Sequence, residues 1–178
     1  MRQKHYLTAT LVFKDEARYL KEWLDYHILL GVQHFYLYDN QSTDKFAHIL
    51  DWYVRNNIVT YRLLDLVLDP SSSPCAPHRM EAIERYGPEC EWMAFIDVDE
   101  FFVLDNIERN INLHKTLQLY DQYSGIEVRR AEFGFGGHKK YDPKPVLERF
   151  TTRSARQLGR PKVLVKPKHV AHFPNAHQ

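Results

Sequence analysis

The run Trp92-Met93-Ala94-Phe95-Ile96 is the feature that most constrains this fold: five apolar residues in succession, with Asp97 and Asp99 immediately behind them. A strand that is apolar on alternate residues can leave one face in water, but a continuous run has to be covered on both faces. Such strands belong to parallel sheets with helices on each side. Carboxylates at the carboxyl end of such a strand sit where open α/β sheets bind their ligands. Two acidic groups placed there are costly unless a positive partner, such as a divalent cation, compensates them.

The rest of the first hundred residues agrees with a parallel sheet. Residues 6–13 read as a strand, and Lys14-Asp15-Glu16 then opens a helix with an apolar stripe at Leu20, Trp23, Leu24, His27 and Ile28. Gly31 stands where a helix-terminating glycine is expected. Residues 34–38 form a second strand, and the polar cluster Asp39-Asn40-Gln41-Ser42-Thr43-Asp44 is a loop with capping capacity before a helix marked by Phe46, Leu50 and Tyr53. Residues 58–64 read as a third strand, 69–77 as a Pro/Ser loop, 78–86 as a helix and 92–96 as the fourth strand. Strand and helix alternating in this way imply right-handed crossovers. Beyond Phe102 the pattern loosens. A polar helix is expected over 113–120, a strand over 126–133, a glycine-rich turn at 134–137 and a last strand over 163–166. One domain over 1–178 is expected, with a nucleotide-type half at about 5–104 and an acceptor-side half at about 105–178.

Bulk properties narrow the function. With 44% hydrophobic residues in 178, the chain can bury a full core. Lys plus Arg (24) balances Asp plus Glu (23), so no electrostatic footprint for nucleic acid is present. Cys75 and Cys90 form no C-x-x-C pair, as befits a reducing compartment. No apolar h-region follows the basic start, and no stretch approaches the ~18 apolar residues of a spanning helix. A cytoplasmic protein is expected, at most peripheral to the inner face of a membrane.

Several residues carry chemistry. Asp97 and Asp99 form a D-x-D pair that an EF-hand does not explain, because Phe101 and Phe102 stand where its glycine and further oxygen ligands should be. Asp39, at the end of the second strand, is placed to reach a ribose hydroxyl or, equally, to close an Asx turn. Neither G-x-G-x-x-G nor a P-loop follows the first strand, so phosphates would have to be held by a metal. His169, His172 and His177 crowd the C-terminus without the cysteines of a zinc finger. The basic run Arg153, Arg156, Arg160, Lys162, Lys166, Lys168 is mostly solvated surface, with one or two members able to contact a diphosphate or an anionic acceptor.

Taken together, these segments resemble glycosyltransferase family 92 and the bacterial family-2-like group near it. The resemblance is carried by Lys14-Asp15-Glu16 through Trp23, Tyr26-His27 and Gly31-Val32, by Phe35 to Asp44, and by Glu91 to Phe101 around the D-x-D. Phe133-Gly134, Gly137-His138, Glu148-Arg149-Phe150 and Lys162 to Pro167 extend it to the later half. It implies a GT-A fold, with a mostly parallel central sheet flanked by helices. It also implies a nucleotide-sugar donor (UDP-linked), a glycan or other hydroxyl acceptor, inversion at the anomeric carbon and a divalent cation, manganese or else magnesium. Lys14, Glu16, Asp39, Asn40 and Asp97 would contact the nucleotide sugar, and Asp97, Asp99 and His177, with His172 as the substitute, would hold the metal. Glu132 is the candidate catalytic base. The chain departs from the family pattern in having Asp15 where asparagine is usual, and in lacking a glutamine and an alanine-tyrosine pair over 75–80. It also stops right after His177, as a short member or a fragment would. Two rivals are a non-catalytic sugar- or nucleotide-binding relative and a nucleotidyltransferase, though the glycine-rich basic loop of the latter is missing.

Overall fold

The computed structural model describes residues 3–64, 76–104, 112–137, 140, 142–155 and 161–171. Its first four strands are β1 (His5–Phe13), β2 (His34–Asp39), β3 (Val59–Leu63) and β4 (Cys90–Phe95), with helices α1 (Ala17–Leu29), α2 (Phe46–Arg55) and α3 (Ala76–Tyr86) between them. The later half contributes α4 (Leu113–Gln118), β5 (Gly125–Val128), β6 (Phe133–Gly134), α5 (Val146–Arg149), β7 (Thr152–Arg153) and β8 (Lys162–Val165). The central sheet has six strands in the order β3-β2-β1-β4-β8-β5, and β6 pairs with β7 in a separate ribbon. The pairs among β3, β2, β1 and β4 are parallel, while β8 runs antiparallel to both β4 and β5.

Side-chain alternation explains why β2 and β4 are apolar throughout. Phe35 and Leu37 of β2, with Trp92 and Ala94 of β4, face the core built with Leu20, Trp23 and Leu24 of α1 and Leu50 and Tyr53 of α2. Tyr36 and Tyr38 of β2, with Met93 and Phe95 of β4, face the opposite core, which contains Ala82 and Ile83 of α3. Each fully buried Leu in these layers contributes about 1.5–3 kcal/mol relative to an exposed one. The chain adds β2 and then β3 on one side of β1 and afterwards returns to place β4 on the other. The carboxyl ends of β1 and β4 therefore flank the point where strand order reverses, and open sheets bind ligands at that crevice.

Gly31 ends α1 with φ 99°, a conformation that a Cβ would strain. Two expectations need correction. The strand expected over 126–133 stops at Val128, because β8 offers partners only from Lys162 to Val165, and Phe133 joins β7 instead. The helix expected from 78 already begins at Ala76, and the rest of the loop expected over 69–77 lies outside the described residues. No helix among the described residues is long and apolar enough to cross a membrane.

Candidate active site

The ends of β2, β1 and β4 lie side by side, and with them three of the segments singled out in the sequence. Phe13 pairs with Asp39, so the loop after β1 and the loop after β2 share one edge. Asp15 staples them together. It sits at φ 56°, and its Oδ1 accepts from Thr43 N–H at 2.6 Å, Thr43 Oγ1 at 3.1 Å and Asp44 N–H at 3.2 Å. The Thr43 N–H bond is the leading reason the Asp15 carboxyl is held below its usual range. In return, Asp44 Oδ2 accepts from Ala17 N–H at 2.8 Å and caps the start of α1.

Asp39 is buried, and its Oδ1 accepts from Ser42 N–H at 2.8 Å, which is the Asx-turn arrangement. Asn40 donates its N–H to Phe13 O at 2.8 Å and stands half-buried beside it. Lys14 is exposed on the same rim, and Glu16 is half-buried at the entrance to α1.

Asp97 and Asp99 follow β4 in a turn that closes with Glu100 N–H donating to Asp97 O at 3.1 Å. Helix α1 holds this turn from below. Trp23 Nε1 donates to Glu100 O at 3.1 Å, and the Tyr26 hydroxyl donates to Phe102 O at 2.6 Å. His27 is fully buried, stacks on Phe101 with ring centroids 5.8 Å apart, and shares a hydrogen bond with Trp23 O through Nδ1. Burial brings the His27 pKa down to about 4, so the ring is neutral and serves as packing. The Trp23 and Tyr26-His27 positions thus exist to seat the segment behind the aspartates.

The two aspartates differ in their surroundings. Asp97 Oδ2 receives Lys162 Nζ at 2.5 Å, and that ammonium also reaches Glu100 Oε2 at 2.9 Å. Glu100 Oε2 accepts Asp97 N–H at 3.0 Å, and its other oxygen lies 3.6 Å from Arg130. Burial would lower the Lys162 pKa, but the hydrogen bonds it donates to Asp97 and Glu100 outweigh it and raise it. Asp99 is exposed and makes no hydrogen bond or ion pair among the described residues. Its charge bears on Glu16, whose pKa is raised first by burial and then by Asp99.

Glu132 is exposed and pairs with Arg130 at 2.7 Å, which links it through Glu100 and Lys162 to Asp97. His172 and His177 lie outside the described residues. His169 is described, in the short 3-10 turn after β8. Among the described residues no cluster of three His, Cys, Asp or Glu is placed to hold a metal ion. A narrow cleft lined by Thr10, Val12 and Phe95 from the strands, by Ile96 just after β4, and by His78 and Arg79 from α3, runs up to Asp97. Thr10 Oγ1 is buried there without a hydrogen-bond partner among the described residues, while the Arg79 guanidinium lies 5.7 Å above the Phe95 ring.

Sequence reasoning left out Glu100, Arg130, His78, Arg79 and Thr10. Glu100 was within reach as a third acid directly behind the pair. The others sit far along the chain or inside ordinary elements, and nothing local marks them.

The six-stranded, mostly parallel sheet flanked by helices is a GT-A type fold. The fold is shared with S. aureus TarS: the crystal structure of TarS 1–349 in complex with UDP superposes with a TM-score of 0.57 at 16% identity, covering 95% of this chain and 50% of that one. The crystal structure of S. aureus TarS gives 0.56 at 17% identity, over 95% of this chain and 30% of the other. The sequence profile of glycosyltransferase family 92 matches residues 8–177, and the chain belongs to that family. A family 92 protein of Oryza sativa subsp. japonica is 31% identical over 169 residues, 93% of this chain and 28% of the relative. One of Ricinus communis is 27% identical over 167 residues, 92% of this chain and 29% of the relative. The chain thus spans under a third of the length of these curated relatives.

Proposed function

We propose that this chain transfers a sugar from a nucleotide-diphosphate donor, UDP-linked, to a hydroxyl of a glycan or similar acceptor, with inversion at the anomeric carbon. The observation that carries the reading is the exposed Asp99, without an ion-pair partner among the described residues, at the sheet's reversal point in a member of family 92. The crystallised TarS relatives bound to UDP and to UDP-GlcNAc support the choice of donor.

A divalent cation is the expected partner of the acidic pair, although the described residues alone do not gather three ligands for it. Asp99 is exposed with no ion-pair partner among the described residues, and Asp97 keeps one oxygen clear of Lys162. Manganese or magnesium binds through one or two carboxylates, with waters and substrate phosphates completing the shell. Asp99 and Asp97 would hold it, with His177 the further ligand, and it would neutralise charge on the leaving diphosphate. Asp39 and Asn40, beside Lys14 and Glu16, form the rim that reads the nucleoside. Asp39 spends one oxygen on its Asx turn and has the other for a ribose hydroxyl. Glu132 is the base that takes the acceptor proton, held at the edge of the site by Arg130.

The test is sugar transfer or donor hydrolysis with added manganese, comparing wild type with Asp99→Ala across a panel of UDP-sugars. Manganese-dependent turnover in the wild type and loss in the variant is expected. Equal activity in the two would sink the assignment.

A further inference from the structure

Thr8 and Thr10 stand two residues apart on the same face of β1, yet their hydroxyls differ. Thr8 Oγ1 donates to Trp92 O at 3.3 Å, whereas Thr10 Oγ1 has no hydrogen-bond partner among the described residues. Thr10 is only 4% exposed, and a buried hydroxyl left in that state is costly. It lies between Tyr36 of β2 and Phe95 of β4, and it lines the cleft that runs up to Asp97. That cleft measures about 20 Å³, room for one oxygen atom of a ligand or one water. Its other wall is His78 and Arg79, in the first turn of the 11-residue helix α3. His78 is buried and stacks on Tyr38 with ring centroids 6.0 Å apart, and the Arg79 guanidinium lies 5.7 Å from the centre of the Phe95 ring. A helix start carries positive partial charge. Asp97, at the mouth of the cleft, is met by Lys162.

We infer that the start of α3 is a phosphate subsite: Arg79 pairs with a phosphate of the nucleotide-diphosphate donor, and Thr10 Oγ1 hydrogen-bonds the phosphate oxygen that enters the cleft. This rests on the proposed function and adds to it the side chains that hold the donor's phosphates. The chain has no glycine-rich loop after β1 to offer a row of backbone N–H groups, so side chains have to share in meeting the phosphate charge. A guanidinium suits that task, because its planar fork presents parallel N–H groups to phosphate oxygens. The helix start behind it favours the same anion. His78 and Arg79 also fall within 75–80, where the chain departs from the family 92 pattern, so the subsite belongs to this chain.

Isothermal titration of UDP with manganese present, in the wild type and three variants, reads this directly. Arg79→Gln should weaken UDP binding by about tenfold, the scale of one charge-assisted hydrogen bond. Arg79→Lys keeps a point charge without the fork and should fall between the two. Thr10→Val should weaken UDP binding by about threefold. Its urea unfolding midpoint should equal or exceed that of wild type, because the lost hydroxyl has no partner among the described residues. A threonine that only supported the fold would behave the other way round. Unchanged UDP affinity in a folded Arg79→Gln or in Thr10→Val, or a lowered unfolding midpoint in Thr10→Val, overturns the inference. If Arg79→Gln does not fold, Thr10→Val decides. Asp99→Ala separates the two readings. UDP binding lost there but intact in Arg79→Gln removes this subsite alone, whereas a wild type that binds no UDP removes the proposed function with it.

Discussion

Near each end of strand β4 an acid stands beside a lysine from the β8 region, and the two ends are built differently. At its start, Glu91 takes Lys166 at 3.0 Å and Lys168 at 2.9 Å, with Gln3 donating at 2.7 Å. Lys166 is buried, lies 5.0 Å above the Trp92 ring and donates to Asp121 O at 2.7 Å. Every charge there is matched. At the other end, Lys162 serves Asp97 and Glu100 together and Arg130 also reaches Glu100, while Asp99 has no ion-pair partner among the described residues. The first end is a clamp between sheet and C-terminal segment. The second leaves Asp99 exposed in the crevice and unpaired among the described residues, which makes it the candidate for function.

The sharpest way to break the comparison is to delete one acid at each end. Asp99→Ala should lower transfer by about 10²–10³-fold, the scale of removing one preorganised stabiliser of developing charge. Its stability by denaturant unfolding should stay within about 0.5 kcal/mol of wild type, as for a surface change. Lys166→Met, at the other end, should cost about 2–3 kcal/mol of stability. That is the low side for removing one partner of a buried pair, because Lys168 and Gln3 still hold Glu91. A catalytic collapse with intact folding in Lys166→Met would erase the distinction.

Acid supplies the next contrast. Burial would raise the Glu91 pKa, but hydrogen bonds from Lys168, Gln3 and Lys166 outweigh it and bring it from 4.5 to about 2. A depressed carboxylate contributes stability that is complete above its unfolded pKa and is lost as pH falls through the folded one. Stability should therefore decline between about pH 4.5 and 2, and Glu91→Gln should flatten that limb in thermal melts. Glu16 carries the opposite sign. Its raised pKa means that its charge is a cost at neutral pH, so Glu16→Gln should leave the fold as stable as wild type or slightly more so in denaturant unfolding at pH 7.

The half of the fold made by local pattern was legible. Apolar stripes at Leu20, Trp23, Leu24 and His27, and the unbroken run before Asp97, are short-range signals set by helical and pleated geometry. The pairing of β8 with β4 was not, since it joins residues some seventy apart with no local mark. For the same reason the expected strand over 126–133 ran too long: its end is fixed by the length of β8, not by its own residues. Within the site, Asp97 and Asp99 could be found from their place behind a buried strand, and Asp39 from the end of β2. Lys162 could be seen only as one member of a basic run, because what distinguishes it is contact with Asp97 across 65 positions. Of the two expectations for Asp39, the structure shows the Asx turn, which uses one oxygen, and the ribose contact belongs to the proposed function.

The central claim is that the crevice behind β4 binds a nucleotide diphosphate through a cation held by Asp99. Isothermal titration of UDP into the wild type and into Asp99→Ala, each with and without manganese, tests it most directly. The account predicts heat of binding only for the wild type with manganese present. UDP binding that is as strong without the metal, or undiminished in Asp99→Ala, would contradict it.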